Sequence, residues 1–259
     1  MRTHTARRAL LIGALASTAA LLAPAAANAE ALTGWVGPAG SNGSGVQFLN
    51  TSTIINSPSL TAESKIYSVF GQSVAPGDIG VRARLFKSGV LCEAIDYRYN
   101  AFGASELTIG TSATCGTGSY NSHGFTAVWD GTSSYRQALT FPSNPLNWTA
   151  PGARSAAIPE SATETSPVDT GTNAAGQSYG PGDTPTDADL PDLIAVFGDD
   201  GIQGYINKTD LDGSAASPAE ATKLTTETID GVEVHTSGPR TVPVFANDGV
   251  TQVSDFTIS

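Results

Sequence analysis

Residues 79–99 read IGVRARLFKSGVLCEAIDYRY. Two apolar runs flank Lys87-Ser88-Gly89, and that pattern predicts a β-hairpin with the glycine in its turn. Period-two alternation sets Val81, Ala83 and Leu85 on one strand face and Arg82 and Arg84 on the other, beside Phe86. The first set is a core face, so the second is expected to point outward. Arg82, Arg84 and Arg98 all fall in this hairpin, although the chain is acidic, with 13 Lys+Arg against 24 Asp+Glu. Tyr97 and Tyr99 lie on the return strand, and Tyr135 and Arg136 follow on a later one. Arginine forks beside aromatic rings suit sugars or anionic polymers, which they hold by stacking and paired hydrogen bonds. The competing reading is structural: the arginines pair with Glu93, Asp96 and the acidic second half, and tie that half down.

Outward from the hairpin the first half reads as β. Alternation recurs at 64–70, and strand-like runs follow at 90–99, 106–111, 125–129 and 135–141. Ala75-Pro76-Gly77-Asp78, Gly116-Thr117-Gly118 and Asp130-Gly131-Thr132 supply the turns. Short strands at this spacing predict an antiparallel β-sandwich or barrel over residues 30–150. Cys92 and Cys115 are the only cysteines, and an isolated pair in an exported chain reads as one disulfide. Closing that loop is worth about 3 kcal/mol in the chain-entropy picture.

Residues 151–188 are rich in Pro, Ser, Thr, Gly and Ala and nearly free of large apolar side chains. Such a stretch buries too little surface to offset its ordering entropy and reads as a disordered linker. From residue 189 a small α+β pattern is expected. Strands at 193–197 and 202–206 flank Gly198-Asp199-Asp200-Gly201. Ser217-Pro218-Ala219-Glu220 reads as a capping box that opens a helix running to about Ile229. A second hairpin, 241–245 and 250–258, completes a ββαββ unit over 189–259. The two hairpins share a form, Val196-Phe197-Gly198-Asp199-Asp200-Gly201-Ile202 and Val244-Phe245-Ala246-Asn247-Asp248-Gly249-Val250. This is either an internal repeat or two uses of one turn.

The chain opens MRTHTARRALLIGALASTAALLAPAAANAEA. Arg2, Arg7 and Arg8, an apolar run from Ala9 to Ala23, and Ala27-Asn28-Ala29 form a secretory signal peptide over 1–29. The expected location is therefore extracellular, with no membrane insertion after cleavage. The signal carries 3 basic residues and no acidic ones, residues 30–150 carry 6 and 7, and residues 151–259 carry 4 and 17. The second half is thus strongly acidic, which argues against a nucleic-acid partner.

Few catalytic patterns survive inspection. His123 and His235 are the only histidines past the signal, and neither sits in a zinc or nucleophile-elbow motif. Asp169-Thr170-Gly171 spells an aspartic-protease triplet, but it has no second copy and lies in the linker. Glu93 and Asp96 remain as a carboxylate pair for a hydrolase. Asp210-Leu211-Asp212-Gly213 resembles the start of a calcium loop, with Asp210 and Asp212 as weak ligands. The glycine and glutamate that an EF-hand needs at its sixth and twelfth positions are Ala215 and Ala221 here. No other cofactor is expected.

Gly80-Val81-Arg82-Ala83-Arg84-Leu85-Phe86, Leu91-Cys92, Gly118-Ser119-Tyr120-Asn121-Ser122-His123-Gly124 and Trp129-Asp130-Gly131 together resemble a pattern in small secreted proteins of actinobacteria and other Gram-positive bacteria. Val196-Phe197-Gly198-Asp199-Asp200-Gly201, Gly204-Tyr205-Ile206 and Asp210-Leu211-Asp212-Gly213 resemble a second secreted module of actinobacteria. The stretch from Gly204 to Leu211 is also similar, over one hairpin, to the end of bacterial SH3-type wall-binding repeats. These resemblances imply secretion and no particular activity. The expected function is a secreted, non-enzymatic protein that binds a cell-wall or extracellular polymer. A protein–protein module such as a protease inhibitor, with the disulfide-closed segment 93–114 as its contact, is one alternative. A carboxylate-dependent hydrolase is the other.

Overall fold

The computed structural model describes residues 30–151, 168–184 and 189–259. The expected leader, 1–29, and the linker stretches 152–167 and 185–188 lie outside the described residues. The first half forms β1 (Ala31–Thr33), β2 (Gly37–Ser41), β3 (Gln47–Ile55), β4 (Thr61–Ser68), β5 (Ile79–Lys87), β6 (Val90–Ala94), β7 (Arg98–Asn100), β8 (Glu106–Gly110), β9 (Gly118–Trp129), β10 (Tyr135–Leu139) and β11 (Leu146–Trp148). The second half forms β12 (Gly171–Thr172), β13 (Ser178–Gly180), β14 (Leu193–Phe197), β15 (Gln203–Asn207), a 3-10 turn at Lys208–Leu211, helix α1 (Pro218–Ala221), β16 (Thr225–Ile229), β17 (Val232–Thr236), β18 (Arg240–Phe245) and β19 (Gln252–Ile258).

The fold is mainly β and consists of two open sheets, with no barrel closure. In the smaller, β1 and β2 lie end to end along one edge of β3, and β4 and β8 follow, all antiparallel. The larger sheet centres on β5, the strand of the quoted hairpin. One edge of β5 pairs with β9 from Ile79↔Val128 to Lys87↔Tyr120. The other edge is shared between β7, at Gly80 and Val81, and β6, from Arg84 to Lys87. Ser88 and Gly89 both have positive φ, 50° and 85°, so the β5–β6 turn has the twist that a two-residue hairpin requires.

From β7 the sheet continues to β17 and β16. From β6 it continues through a parallel pairing to β14, then to β15, β18 and β19. This second branch curls back on itself. The N–H of Ser259 donates to Ala94 O at 3.0 Å, and that of Asp96 donates to Ser259 O at 2.8 Å. The sheet thus runs across the boundary drawn at 151–188, and the second half completes both branches. Within 30–150 every strand pairing is antiparallel as expected; the parallel pairs, β6–β14 and β13–β14, arise where the second half joins.

Val81, Ala83 and Leu85 are fully buried, as the alternation requires. Val81 and Ala83 pack between the sheets with Phe48, Ile66, Leu107 and Ile109. The opposite face of β5 and β9 is covered too. Phe86, Leu91, Tyr97, Tyr99 and Phe125 join Ile194, Val196, Ile206, Val242, Val244, Phe256 and Ile258 of the second half in one core. Each fully buried side chain of this size contributes about 1.5–3 kcal/mol, so the second half acts as the other wall of the β5 core.

Two expectations are corrected here. The helix from Ser217 starts as read: the Ser217 side chain accepts from Glu220 N–H, and Pro218 takes the first turn. It ends at Ala221, and residues 225–229 form β16 instead of continuing it. Thr225, Thr226, Thr228 and Ile229 are β-branched and fit a strand better than a helix. Asp230 and Gly231 (φ 51° and 81°) turn the chain into β17. Residues 168–184, assigned by composition to a disordered linker, contain β12 and β13, and β13 adds to β14. The two hairpins of shared form also share their turn bonds. Ile202 N–H donates to Asp200 Oδ1 at 3.0 Å and Val250 N–H to Asp248 Oδ1 at 2.9 Å, each beside a positive-φ glycine.

The expected disulfide between Cys92 and Cys115 is present, with Cα atoms 5.9 Å apart. The register slips between Leu85 and Phe86, which pair with Glu93 and Leu91, so Cys92 is the extra residue of a β-bulge. Strict alternation would send Cys92 and Glu93 to opposite faces. The bulge lets both reach the 112–115 segment.

Candidate functional site

Gly80 lies under the rings of Tyr97 and Tyr99; a Cβ there would stand 2.8 Å from Tyr99 Cε1. The two rings are 5.9 Å apart, and Tyr99 lies 5.2 Å from Tyr135. Arg82 stacks its guanidinium on Phe125 at 4.3 Å and on Tyr97 at 4.8 Å. Arg84 also stacks on Phe125, at 4.6 Å. Five of the seven residues singled out for binding (Arg82, Arg84, Tyr97, Tyr99 and Tyr135) therefore gather on one face. That face does not point outward. Arg82 and Arg84 are each 3% exposed, because the second half covers them. Their outward orientation is the point corrected, and its cause is a second core that the alternation of one strand cannot reveal.

Arg98 and Arg136 stand apart from this group. Arg98 pairs with Val81 and so lies on the opposite face of the sheet from Tyr99, buried. Burial lowers its pKa, while Glu227 and Asp96 act to raise it. Arg136 is exposed on β10, beside Gly40 of β2.

The buried cluster holds up a loop. Arg82 Nη1 donates to Leu211 O, and its Nη2 lies 3.9 Å from Asp212 Oδ1. Ala215 N–H donates to Tyr99 Oη at 2.8 Å. Burial pushes the Tyr99 hydroxyl pKa well above its ordinary value, so it stays a neutral acceptor. Gly213 lies directly on the Asp96 carboxylate; a Cβ there would meet Oδ1 at 2.5 Å. Asp96 in turn accepts from Arg240 Nε at 2.6 Å and Nη2 at 3.2 Å. Residues 211–215 are thus held from below at four points.

Above this loop is a cleft of about 400 Å³, lined by Asp96, Asp212, Gly213, Ser214, Ser237 and Arg240, with Ala215 and Leu224 as apolar wall. Ser214 and Ser237 are exposed, and Arg240 keeps 34% of its side chain open. Two of its guanidinium nitrogens, Nε and Nη2, are committed to Asp96. The cleft offers hydroxyls, two carboxylates and one cation, so its lining is acidic on balance. Among the cleft residues, only Asp96 and Asp212 were singled out from sequence. Arg240 had one available signal: it is one of only 4 basic residues in the acidic half.

The remaining candidates have structural partners. Glu93 accepts from Ser112 N–H at 2.8 Å and Ala113 N–H at 2.5 Å, on the disulfide side. Asp96 faces Arg240, so the two carboxylates of the hydrolase reading engage different parts of the fold. Asp210 accepts from Asn207 Nδ2 at 3.1 Å. Among the described residues no group of three or more His, Cys, Asp or Glu side chains is arranged to hold a metal ion.

His123 is wholly buried and stacks on Phe86 at 4.6 Å. Its Nε2–H donates to Gly182 O at 2.8 Å, so Nδ1 is the bare nitrogen of the neutral ring. Burial first, then Arg84, pushes its pKa down to about 3, with Arg82 adding to the effect. The native state thus refuses a proton that the unfolded chain takes up near pH 6.5. Stability from this residue is full above pH 6.5 and is lost as pH falls toward 3, by about 1.4 kcal/mol per pH unit. Asp183, next to Gly182, has its pKa raised by burial and works in the opposite direction. Urea unfolding at pH 7 and pH 5 should therefore show a loss in the wild type that is about 2 kcal/mol larger than in His123→Phe. Equal losses in the two proteins would mean that His123 is not held neutral.

Comparison with protein-family models, with curated proteins and with solved structures gives no match. The functional reading therefore rests on the cleft and on the chain's own chemistry.

Proposed function

We propose that this is a secreted, non-enzymatic protein that binds a hydroxyl-rich polymer of the cell wall or extracellular space in the Asp96–Arg240 cleft. One observation carries the reading: the Arg/Tyr cluster is spent on holding residues 211–215 as the rim of a polar cleft. A rim fixed in advance loses little entropy on binding. The signal peptide and the disulfide support export. The cleft's two carboxylates against one guanidinium, in a chain of formal net charge −11, disfavour a polyanion and favour an uncharged glycan segment.

Co-sedimentation of mature 30–259 with purified cell-wall sacculi tests this. Binding should survive raised salt, because it does not depend on screened long-range charge. Ser214→Arg and Ser237→Trp fill the cleft from exposed positions and should each weaken binding about tenfold or more, the loss expected when about 1.4 kcal/mol of contact is blocked. Binding unaffected by both substitutions would remove the cleft from consideration; no pelleting at any salt would remove the polymer.

A further inference from the structure

The segment closed by the disulfide is a separate matter. Residues 112–114, Ser-Ala-Thr, are three consecutive exposed positions outside any strand or helix. Both flanks are fixed. On the upstream side Thr111 is buried; its N–H donates to Ala62 O at 3.0 Å and its Oγ1 accepts from Ala62 N–H at 2.9 Å. Buried Glu93 then holds the N–H groups of Ser112 and Ala113, and the Ser112 hydroxyl at 3.3 Å. On the downstream side Cys115 is tied to Cys92, its N–H donates to Tyr120 Oη at 3.1 Å, and its carbonyl accepts from Lys87 Nζ at 2.9 Å. Tyr120 Oη–H in turn donates to Gly116 O. The bulge at Cys92 is what lets neighbouring residues grip the loop from one strand.

We infer that residues 112–114 are a substrate-like loop that occupies the active-site groove of a serine protease with a small first specificity pocket, and that the protein inhibits that protease. The side chains are small and uncharged, and no aromatic or arginine anchor stands among them. The Ser112 and Ala113 N–H groups are given to Glu93, so a partner that reads such a segment reads its small side chains and its main-chain carbonyls, as a protease pocket and groove do. The loop is already ordered, so binding costs little conformational entropy.

The bond placed for attack is Ala113–Thr114. Ala113 is the last residue held by Glu93, and Thr114 is one residue from the disulfide. Hydrolysis there adds one water, leaving a carboxylate on Ala113 and an ammonium on Thr114. Cys92 and Cys115, 23 residues apart, span the cut, so both new ends stay on one covalent molecule. Held at high effective concentration, they rejoin by the reverse reaction. The protease is occupied and the loop persists. This inference is independent of the cleft.

The test titrates mature 30–259 against an alanine-preferring, elastase-type serine protease and against trypsin, and titrates Ala113→Lys against both. The wild type should inhibit the first enzyme stoichiometrically and leave trypsin active. Ala113→Lys, at an exposed position, should reverse that preference by about a hundredfold or more, as a swapped pocket contact does. Mass spectrometry after reduction should find most chains uncut. Glu93→Gln should be cut at least tenfold faster than wild type. The inference falls if the wild type leaves the elastase-type enzyme active and Ala113→Lys leaves trypsin active. Rapid cleavage as an ordinary substrate overturns it equally.

Discussion

Asp96→Ala should lower the unfolding free energy by about 3 kcal/mol in urea, with an unchanged slope against denaturant. The carboxylate is almost fully buried, accepts two hydrogen bonds from Arg240 and lies under Gly213. Removing it strands two cations. Arg240 is one-third open and recovers water, which keeps the loss at the lower end for a broken buried pair. Arg98 has no such recourse. It is 6% exposed, its charge is already disfavoured by burial, and only Glu227 then remains beside it among the named counter-charges. Asp96→Ala combined with Arg240→Gln should lose less than the sum of the single changes, because the two share one interaction. A loss below about 1 kcal/mol for Asp96→Ala would show that solvent screens the pair after all.

Arg82→Ala should cost a similar amount, about 3 kcal/mol, by another route. It deletes a charge-assisted hydrogen bond to Leu211 O, worth about 1.5–3 kcal/mol, and empties the space between Phe125 and Tyr97. The local consequence identifies the cause. Asp212 N–H and Gly213 N–H close the turn after the 3-10 segment onto Thr209 O and Leu211 O. Their amide exchange should speed up more than that of β9, which keeps its ladder. Arg82→Lys should restore less than half of the stability, because an ammonium cannot reproduce the planar fork or its stacking. A fully stable Arg82→Ala protein with unchanged exchange at 212 and 213 would contradict the role given to this side chain.

The same residues show how far the sequence could be read. Val81, Ala83 and Leu85 announced one buried face because apolar alternation is a local property of a strand. Arg82 and Arg84 looked exposed because their cover comes from residues 194–258, over a hundred positions away, and nothing in the local pattern encodes it. The arginines could be buried because aromatic rings and a backbone carbonyl replaced water around them. The disulfide was legible from count alone. The β-bulge at Cys92 was not, since an extra residue in a ladder shows only against its partner strand. The helix start was legible in Ser217 and Pro218; its early stop was a contest of propensities that Thr225, Thr226 and Thr228 won. Of the cleft, Asp96 and Asp212 drew notice as carboxylates, whereas Ser214 and Ser237 are ordinary serines until the fold brings them together.

The backbone bonds between Ser259 and residues 94 and 96 have a consequence for how the chain is made. β5 is laid down early, yet the lid over its arginine face is sealed by Ser259, far downstream in the chain. A polypeptide emerging from its N-terminus first must keep that face wet until β19 and Ser259 arrive. Closing that face is therefore a late, long-range step, and a truncation that removed Ser259 would unseal a core laid down by β5, far from the lesion in sequence.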